Sequence, residues 1–424
     1  MFLIVNSKSG IIFNIVNKTN KKPKVFVMMS GGVDSSVAAL LLKKSGEYEV
    51  FGAFIKGYNI DGCQKKDAED ARRVAEHIGI PFYTIDLEKE YKKKVVDYMV
   101  EGYKKGITPN PDVMCNKEIK FGLFLEKALD LGADYVATGH YVWLRQIAFR
   151  KQHIPTPAVG IASLSPRHPL LRSGTDLSGL RDVPQSNLAS PLFLLYQAKD
   201  QNKDQSYFLW TLNQEQLRYC LFPIGDYLKS EVRGIAKKAG LLTAGKKDSQ
   251  GICFLGQISM KDFLKKRIKV KKGDVIMFDG KKIGTHDGVW FYTIGQRHIG
   301  IMNYESGIRG KHETKPLYVV EKNIKKNILI VAEGENNPAF YKKEIKLTNI
   351  NIINPDVISL IRANKGINIL ARVRYRQPLA SARLIIHNSK FVIQFDTPVK
   401  FAASGQSAVF YDKKGRLLGG GIII

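Results

Sequence analysis

Only four cysteines occur in the 424 residues (Cys63, Cys115, Cys220 and Cys253), and no two of them form a Cys-x-x-Cys pair. That scatter excludes a disulfide framework and the usual zinc-ligand spacings, and it suits a reducing cytosol, so the chain is read as cytoplasmic. No apolar run is long enough to span a membrane. The apolar start, residues 1–16, is interrupted by Lys8 and polar side chains and lacks a basic segment ahead of a continuous apolar core. It is not read as a signal peptide, and residues 1–22 are taken as an N-terminal extension, either an upstream start or an extra strand. A Walker-type phosphate loop is missing as well: Gly240 to Lys246 has the spacing, but Lys247 stands where a hydroxyl is required. Acidic side chains are scarce, 39 Asp+Glu against 66 Lys+Arg, which leaves a net charge of +27. Such a balance favours a polyanionic partner, nucleic acid first, although a lysine-rich composition tuned for solubility would give the same sum.

With 44% hydrophobic and 25% charged residues, the composition is that of a soluble globular protein. Its length allows roughly two to four domains. The informative stretch is an apolar run, Val25 to Met29, that ends in Ser30-Gly31-Gly32-Val33-Asp34-Ser35-Ser36 and leads straight into helix-like Val37 to Leu42. Two glycines permit a tight turn and a close approach of backbone N–H groups to a ligand. Asp34 and the serines fall at a helix N-terminus, whose orphan donors and partial positive charge suit an anion. A plain capped helix after a glycine turn is the alternative; strand, glycines, acid and serines in this order favour a phosphate cradle. The stretch resembles the PP-loop of ATP pyrophosphatases, which implies cleavage of ATP between its α- and β-phosphates and adenylation of a substrate.

Strand-like Val50 to Ile55 and Pro81 to Asp86 alternate with helical Asp67 to Ile78, Glu88 to Lys105 and Cys115 to Leu131, and Ala133 to Thr138 adds a strand ending in Gly139-His140. The alternation predicts an α/β domain over residues 23–255 with a mostly parallel sheet. Ligands of such sheets bind beyond the carboxyl ends of the strands, where Ser30–Ser35, Ile55 and Thr138–His140 would lie. Periodicity dissolves from Gln146 to about Lys199, read as an inserted loop, and returns at Asp204 to Leu212. Residues 256–335 are basic and short-stranded, a small central domain. Residues 336–424 carry several strand-like runs that suggest a terminal β-barrel or sandwich.

Two further stretches carry chemistry. Thr108-Pro109-Asn110-Pro111-Asp112-Val113-Met114-Cys115 places an acid and a thiol three residues apart at a helix start, where the thiolate is favoured. Lys247-Asp248-Ser249-Gln250-Gly251-Ile252-Cys253 sets a second thiol in a glycine-flanked loop. Either cysteine alone would read as a small buried hydrophobe; together, beside an ATP-pyrophosphatase loop, they point to sulfur chemistry. Cys63 and Cys220 have no such context and are read as structural.

Through these motifs, and through Ala137-Thr138-Gly139-His140-Tyr141, Lys203-Asp204-Gln205-Ser206-Tyr207, Thr293-Ile294-Gly295-Gln296-Arg297, Val373-Arg374-Tyr375-Arg376 and Ser404-Gly405-Gln406-Ser407, the chain resembles the tRNA-specific 2-thiouridylases from about Lys24 onward. The resemblance implies sulfur insertion at C2 of the wobble uridine of tRNA (Lys, Glu and Gln types), by a monomer served by a sulfur-donor protein, a cysteine desulfurase or a relay protein. It implies ATP with Mg²⁺ on the PP-loop, with Met28, Met29, Ser30, Gly31, Gly32, Val33, Asp34, Ser35, Ile55 and Gly139 around the nucleotide. It implies Cys253 as the persulfide carrier, Cys115 as nucleophile and Asp112 as acid/base. Asn110, Pro111 and Asp112 would meet the flipped target base, and His140, Lys203, Asp204, Gln205, Arg374, Tyr375 and Gln406 would face tRNA.

Three arginines, Arg372, Arg374 and Arg376, would share one strand face by its period of two, suited to phosphate, a solvated sheet face being the alternative. The basic run Lys265 to Lys272 could grip phosphate or be merely solvated, and His298 is read as structural or RNA-adjacent. The insertion and the short loop after Ile55 depart from the family pattern. Rival readings are another PP-loop enzyme (an amidotransferase-type synthetase or a 4-thiouridine synthase) and a non-catalytic RNA binder with a vestigial nucleotide site. A third has Asp112, Cys115 and Cys253 holding a metal or an iron–sulfur cluster, against which stands the lack of any local cysteine spacing; no metal ligand is assigned.

Overall fold

The computed structural model describes residues 21–60, 62, 64–147, 191–248, 258–297, 299–301 and 316–424. The expectations for the N-terminal extension, Cys63, most of the insertion, Cys253 and His298 fall outside them.

β1 (Lys24–Met28) is the centre of the first domain. Its side chains alternate between two cores: Phe26 and Met28 in one, Val25 and Val27 in the other. Burial on both faces is what a strand inside a parallel sheet requires. β2 (Glu49–Lys56), β3 (Phe82–Asp86), β4 (Tyr135–Thr138) and the short β7 (Cys220–Leu221) complete a fully parallel sheet in the order β3-β2-β1-β4-β7. On one face pack α1 (Val33–Ser45), α2 (Gln64–Ile78) and the helix Lys229–Lys238, through Val37, Leu42, Val74 and Val232. On the other lie the helices over residues 88–104 and 111–130, through Val95, Met99, Ile119 and Phe124. Strand order reverses between β1 and β4, and the crevice at their carboxyl ends is the natural ligand site.

The expected inserted loop is narrower than residues 146–199. β5 (Val142–Ile147) pairs antiparallel with β6 (Leu192–Gln197). Leu192 to Tyr196 had no readable period because Phe193, Leu194 and Leu195 are all buried. Residues 204–212 likewise form no regular helix; only the 3₁₀ turn Ser206–Phe208 lies there.

The central domain is a four-stranded sheet, β10 (Leu317–Asn323), β11 (Ile328–Glu333), β8 (Gly273–Met277) and β9 (Lys282–His286), in that order. The last domain closes into a barrel, β12 (Tyr341–Ile352), β15 (Lys390–Lys400), β14 (Ala380–His387), β13 (Ile367–Arg372), β16 (Ser407–Tyr411) and β17 (Leu417–Ile423), which leaves no sheet edge open.

Buried polar contacts fasten that barrel to the first domain. Trp210 Nε1 donates to Ser407 Oγ at 3.0 Å and the Tyr207 hydroxyl to the Ser407 carbonyl at 2.9 Å. Arg372 Nη2 meets Asp204 Oδ2 at 2.6 Å with side-chain exposures of 5% and 0%. Asp204 also accepts from Ser206 Oγ at 2.9 Å and from the Ala198 N–H at 3.3 Å. A buried pair of this kind adds little net stability, but removing one partner strands the other charge. Asp204→Ala should therefore cost about 3–5 kcal/mol in urea unfolding, and replacing both partners (Asp204→Leu with Arg372→Met) should recover most of it.

Candidate active site

Between β1 and α1 the chain turns through Met29–Gly32. Gly31 sits at φ 73°, and a Cβ there would run into the Asp67 carbonyl in α2. Gly32, the N-cap of α1, offers no side chain to the first helical turn. The serines do not fill that role. Ser35 and Ser36 hydroxyls donate back to the Gly32 carbonyl at 3.2 and 2.8 Å, and Ser35 Oγ accepts from the Ser30 N–H at 3.1 Å. The loop is closed on itself while the front of α1 keeps its dipole and uncapped donors for an anion. Gly139, just past β4, lies against this front; a Cβ there would stand 2.6 Å from the Ser35 nitrogen. Met28 and Met29 are buried beneath the loop, and Ile55 is half-buried at the end of the neighbouring β2.

An ion-pair network that no local pattern announced flanks the loop. Asp34 accepts from the Tyr141 hydroxyl at 2.8 Å, and both of its oxygens meet Lys229 Nζ, at 2.7 and 2.8 Å. Lys229 also reaches Asp248 at 2.9 Å, and Asp248 meets Lys203 at 2.6 Å and Arg233 at 2.8 Å. Burial pushes the Asp248 carboxyl up, but hydrogen bonds from Lys203 and Lys229 more than offset this and leave it at about 2. Burial, with Asp34 alongside, holds the Tyr141 hydroxyl protonated.

The acid and thiol motif sits on a turn shared by all three domains. Asn110 caps the helix over 111–130: its Oδ1 accepts from the Asp112 and Val113 N–H groups, both at 3.2 Å. Pro111 occupies the first turn, where a missing N–H costs nothing. From Cys115 to Phe124 the helix runs in π turns, a winding frequent at functional sites. Burial raises the Asp112 carboxyl above the usual carboxylate range, with the Lys120 charge pulling the other way. Cys115, three residues on, is buried in the core. From the barrel, Gln406 Nε2 donates to the Thr108 carbonyl at 2.9 Å, and the Ser404 carbonyl accepts from the Thr108 N–H at 2.8 Å. From the central domain, the Thr293 hydroxyl lies 3.4 Å from that of Thr108. Cys220 packs in the sheet, its thiol held protonated by burial.

The residues expected to face tRNA divide. Asp204 is committed to Arg372 and is not on the surface. His140 is 7% exposed, hydrogen-bonded through Nδ1 to Thr138 Oγ1 at 2.8 Å, beside the Phe121 and Phe222 rings. Burial, aided by the Lys120 charge, holds it neutral. Gln205 Oε1 accepts from the Tyr141 N–H at 3.0 Å. Arg374 donates to the Ile294 carbonyl at 2.6 Å, and Tyr375 packs on Phe208 at 4.5 Å between ring centres. The shared strand face of three arginines is corrected: β13 ends at Arg372, the chain turns, and Arg376 adopts φ 63°. Only Arg376 of the three is exposed; Arg372 is committed to the first domain and Arg374 to the central domain. Among the described residues no three His, Cys, Asp or Glu side chains gather as a metal site, and no helix is long and apolar enough to cross a membrane.

Comparison with known proteins agrees with this layout. Residues 23–159 and 185–257 match the family described as tRNA methyl transferase HUP domain, residues 261–333 its PRC-barrel domain, and residues 342–423 an aminomethyltransferase beta-barrel domain. The chain is 41% identical over 400 residues to tRNA-specific 2-thiouridylase MnmA 1 of Geobacillus kaustophilus, covering 92% of this chain and 93% of the relative. It is 42% identical over 415 residues to tRNA-specific 2-thiouridylase MnmA of Bacillus subtilis, covering 96% of each. The profile descriptions speak of methyl transfer, but the full-length relatives are named for thiolation, and similarity along the whole chain weighs for the latter. A parallel-sheet HUP domain bearing a PP-loop, followed by a small central sheet and a closed barrel, therefore belongs to the family of tRNA-specific 2-thiouridylases.

Two outcomes follow from this geometry. Gly139→Ala pushes the β4 end off the front of α1 and should weaken ATP binding at least tenfold in calorimetry while the fold, read by circular dichroism, persists. His140, with a folded pKa below its ordinary 6.5, contributes stability that is present above that value and lost as pH falls beneath it. The stability gap between wild type and His140→Gln should thus shrink between pH 7.5 and pH 5.5 in urea titrations.

Proposed function

We propose that this chain makes 2-thiouridine at the wobble position of tRNA, by adenylating the C2 oxygen of the uracil and then replacing it with sulfur from a cysteine persulfide. The observation that carries the reading is the Thr108–Asp112 turn, which brings an acid and a thiol to the head of one helix and is gripped by both following domains. The +27 charge supports a polyanionic substrate.

The C2 carbonyl is a weak electrophile and its oxygen a poor leaving group. Attack of that oxygen on the α-phosphorus of ATP expels pyrophosphate, which the front of α1 and the Ser30–Ser35 loop hold, and leaves AMP as the leaving group. Mg²⁺ would arrive on the triphosphate and neutralise part of its charge. The terminal sulfur of a Cys253 persulfide attacks C2 and AMP departs with the oxygen. The Cys115 thiolate then attacks the Cys253 sulfur, which breaks the S–S bond, leaves the sulfur on the base and forms a Cys115–Cys253 disulfide for an external thiol to reduce. An alternative order has Cys115 release sulfide first. Asp112, its carboxyl raised above the usual carboxylate range by burial, serves as acid/base beside the uracil.

The test is thiolation of unmodified tRNA with ATP, Mg²⁺ and a persulfide donor, read by mass spectrometry of nucleosides. Cys253→Ala and Cys115→Ala should each abolish 2-thiouridine while leaving ATP binding within a few-fold of wild type; wild-type turnover by Cys253→Ala would sink the persulfide assignment. Affinity for tRNA should fall steeply as salt rises from 50 to 200 mM, as expected when several phosphates are neutralised. A flat salt response would contradict the proposed interface.

A further inference from the structure

One carboxylate, Asp248, serves three cations at once: Lys203 at 2.6 Å, Arg233 at 2.8 Å and Lys229 at 2.9 Å. Its Oδ1 takes Lys229 and Arg233 while its Oδ2 takes Lys203. Lys229 is the least exposed of the three at 12%, and it is the one that also contacts Asp34 in the Ser30–Ser35 loop. Its ammonium is aimed from the start of the helix Lys229–Lys238, and its own N–H is fixed by Asp200 Oδ2 at 2.9 Å, so the side chain is anchored at its base. A lysine so placed has no counterpart in the loop, whose polar side chains are two serines and an acid.

The arrangement is that of an anion site filled from within. The lysine, lysine and arginine that converge on this carboxylate are donors of the kind that also bind phosphate oxygens. The nucleotide reading places a phosphate chain at the front of α1, within one side chain of Lys229. Asp34 alone there would repel it.

We propose that Lys229 is the cation that takes the phosphate chain of the nucleotide in this site, and that Asp248 is an internal competitor occupying that cation until phosphate displaces it. The proposal rests on the reading of the Ser30–Ser35 loop as an ATP site. Lys229 is then a binding and positioning residue for the activation step. Asp248, immediately ahead of the segment that carries Cys253, lowers the affinity for free nucleotide by an amount that its removal restores.

The experiment is calorimetric titration of the full chain with the α,β-methylene analogue of ATP and Mg²⁺, which binds without cleavage, alongside adenosine binding followed by saturation-transfer NMR. Lys229→Met should weaken the analogue by tenfold or more and Lys229→Arg by less, with adenosine affinity unchanged in both. Asp248→Asn should tighten the analogue severalfold, an effect that loss of a merely structural ion pair does not produce. If Lys229→Met fails to fold, Asp248→Asn and Lys229→Arg carry the test. Unchanged analogue affinity in Lys229→Met, a parallel loss of adenosine, or weaker analogue binding in Asp248→Asn would each overturn the proposal. Failure of the wild-type chain to bind either ligand would instead overturn the nucleotide reading beneath it.

Discussion

The chemistry proposed for this chain depends on how the Thr108–Asp112 turn is held. A turn of two prolines between two helices has fixed φ angles but few backbone donors of its own, so its position is set from outside. Gln406 and Ser404 of the barrel and Thr293 of the central domain supply that outside hold. Asn110 then starts the helix that carries Asp112 and Cys115. None of the three domains could fix this geometry alone. The barrel is in turn secured by buried contacts of Asp204, Tyr207 and Trp210, so the segment 204–210 serves the acid and thiol indirectly.

The proposed nucleotide side is built on a different principle. Its donors are backbone groups at a helix front, made accessible by Gly31 and Gly139, and its cations come from a distant helix. Backbone donors cannot be titrated, and they are rigid because α1 is packed along its length through Val37 and Leu42. Side-chain cations on the other flank are adaptable and already engaged with carboxylates. The first half of the site therefore gives shape and the second gives adjustable charge.

What was legible in the sequence was local. The glycine-serine loop, the strand and helix alternation of the first domain and the runs that became the barrel all announce themselves within ten residues or so, because each rests on periodicity or turn chemistry. Strand β6, with Phe193, Leu194 and Leu195 all buried, carried no alternation and was absorbed into a supposed loop. The arginines after β13 mimicked a strand period, but the left-handed conformation of Arg376 turns them apart. The family resemblance turned Asp204 and His140 towards tRNA; their partners or neighbours lie inside, Arg372 168 residues away from Asp204. Lys229 was invisible for the same reason, since nothing near it in sequence indicates that Asp34, 195 residues earlier, is its partner.

The hold on the Thr108–Asp112 turn also bears on how the molecule assembles. Gln406 lies 298 positions from Thr108, and Thr293 lies 185 positions from it. Contacts of such range must pay the entropy of closing a long loop before they give anything back. The parallel sheet and the barrel each have a core of their own, whereas the turn takes its outside contacts from the other two domains. The proposed reactive turn is thus a product of contacts that cross domains, and loss of either contact would loosen it.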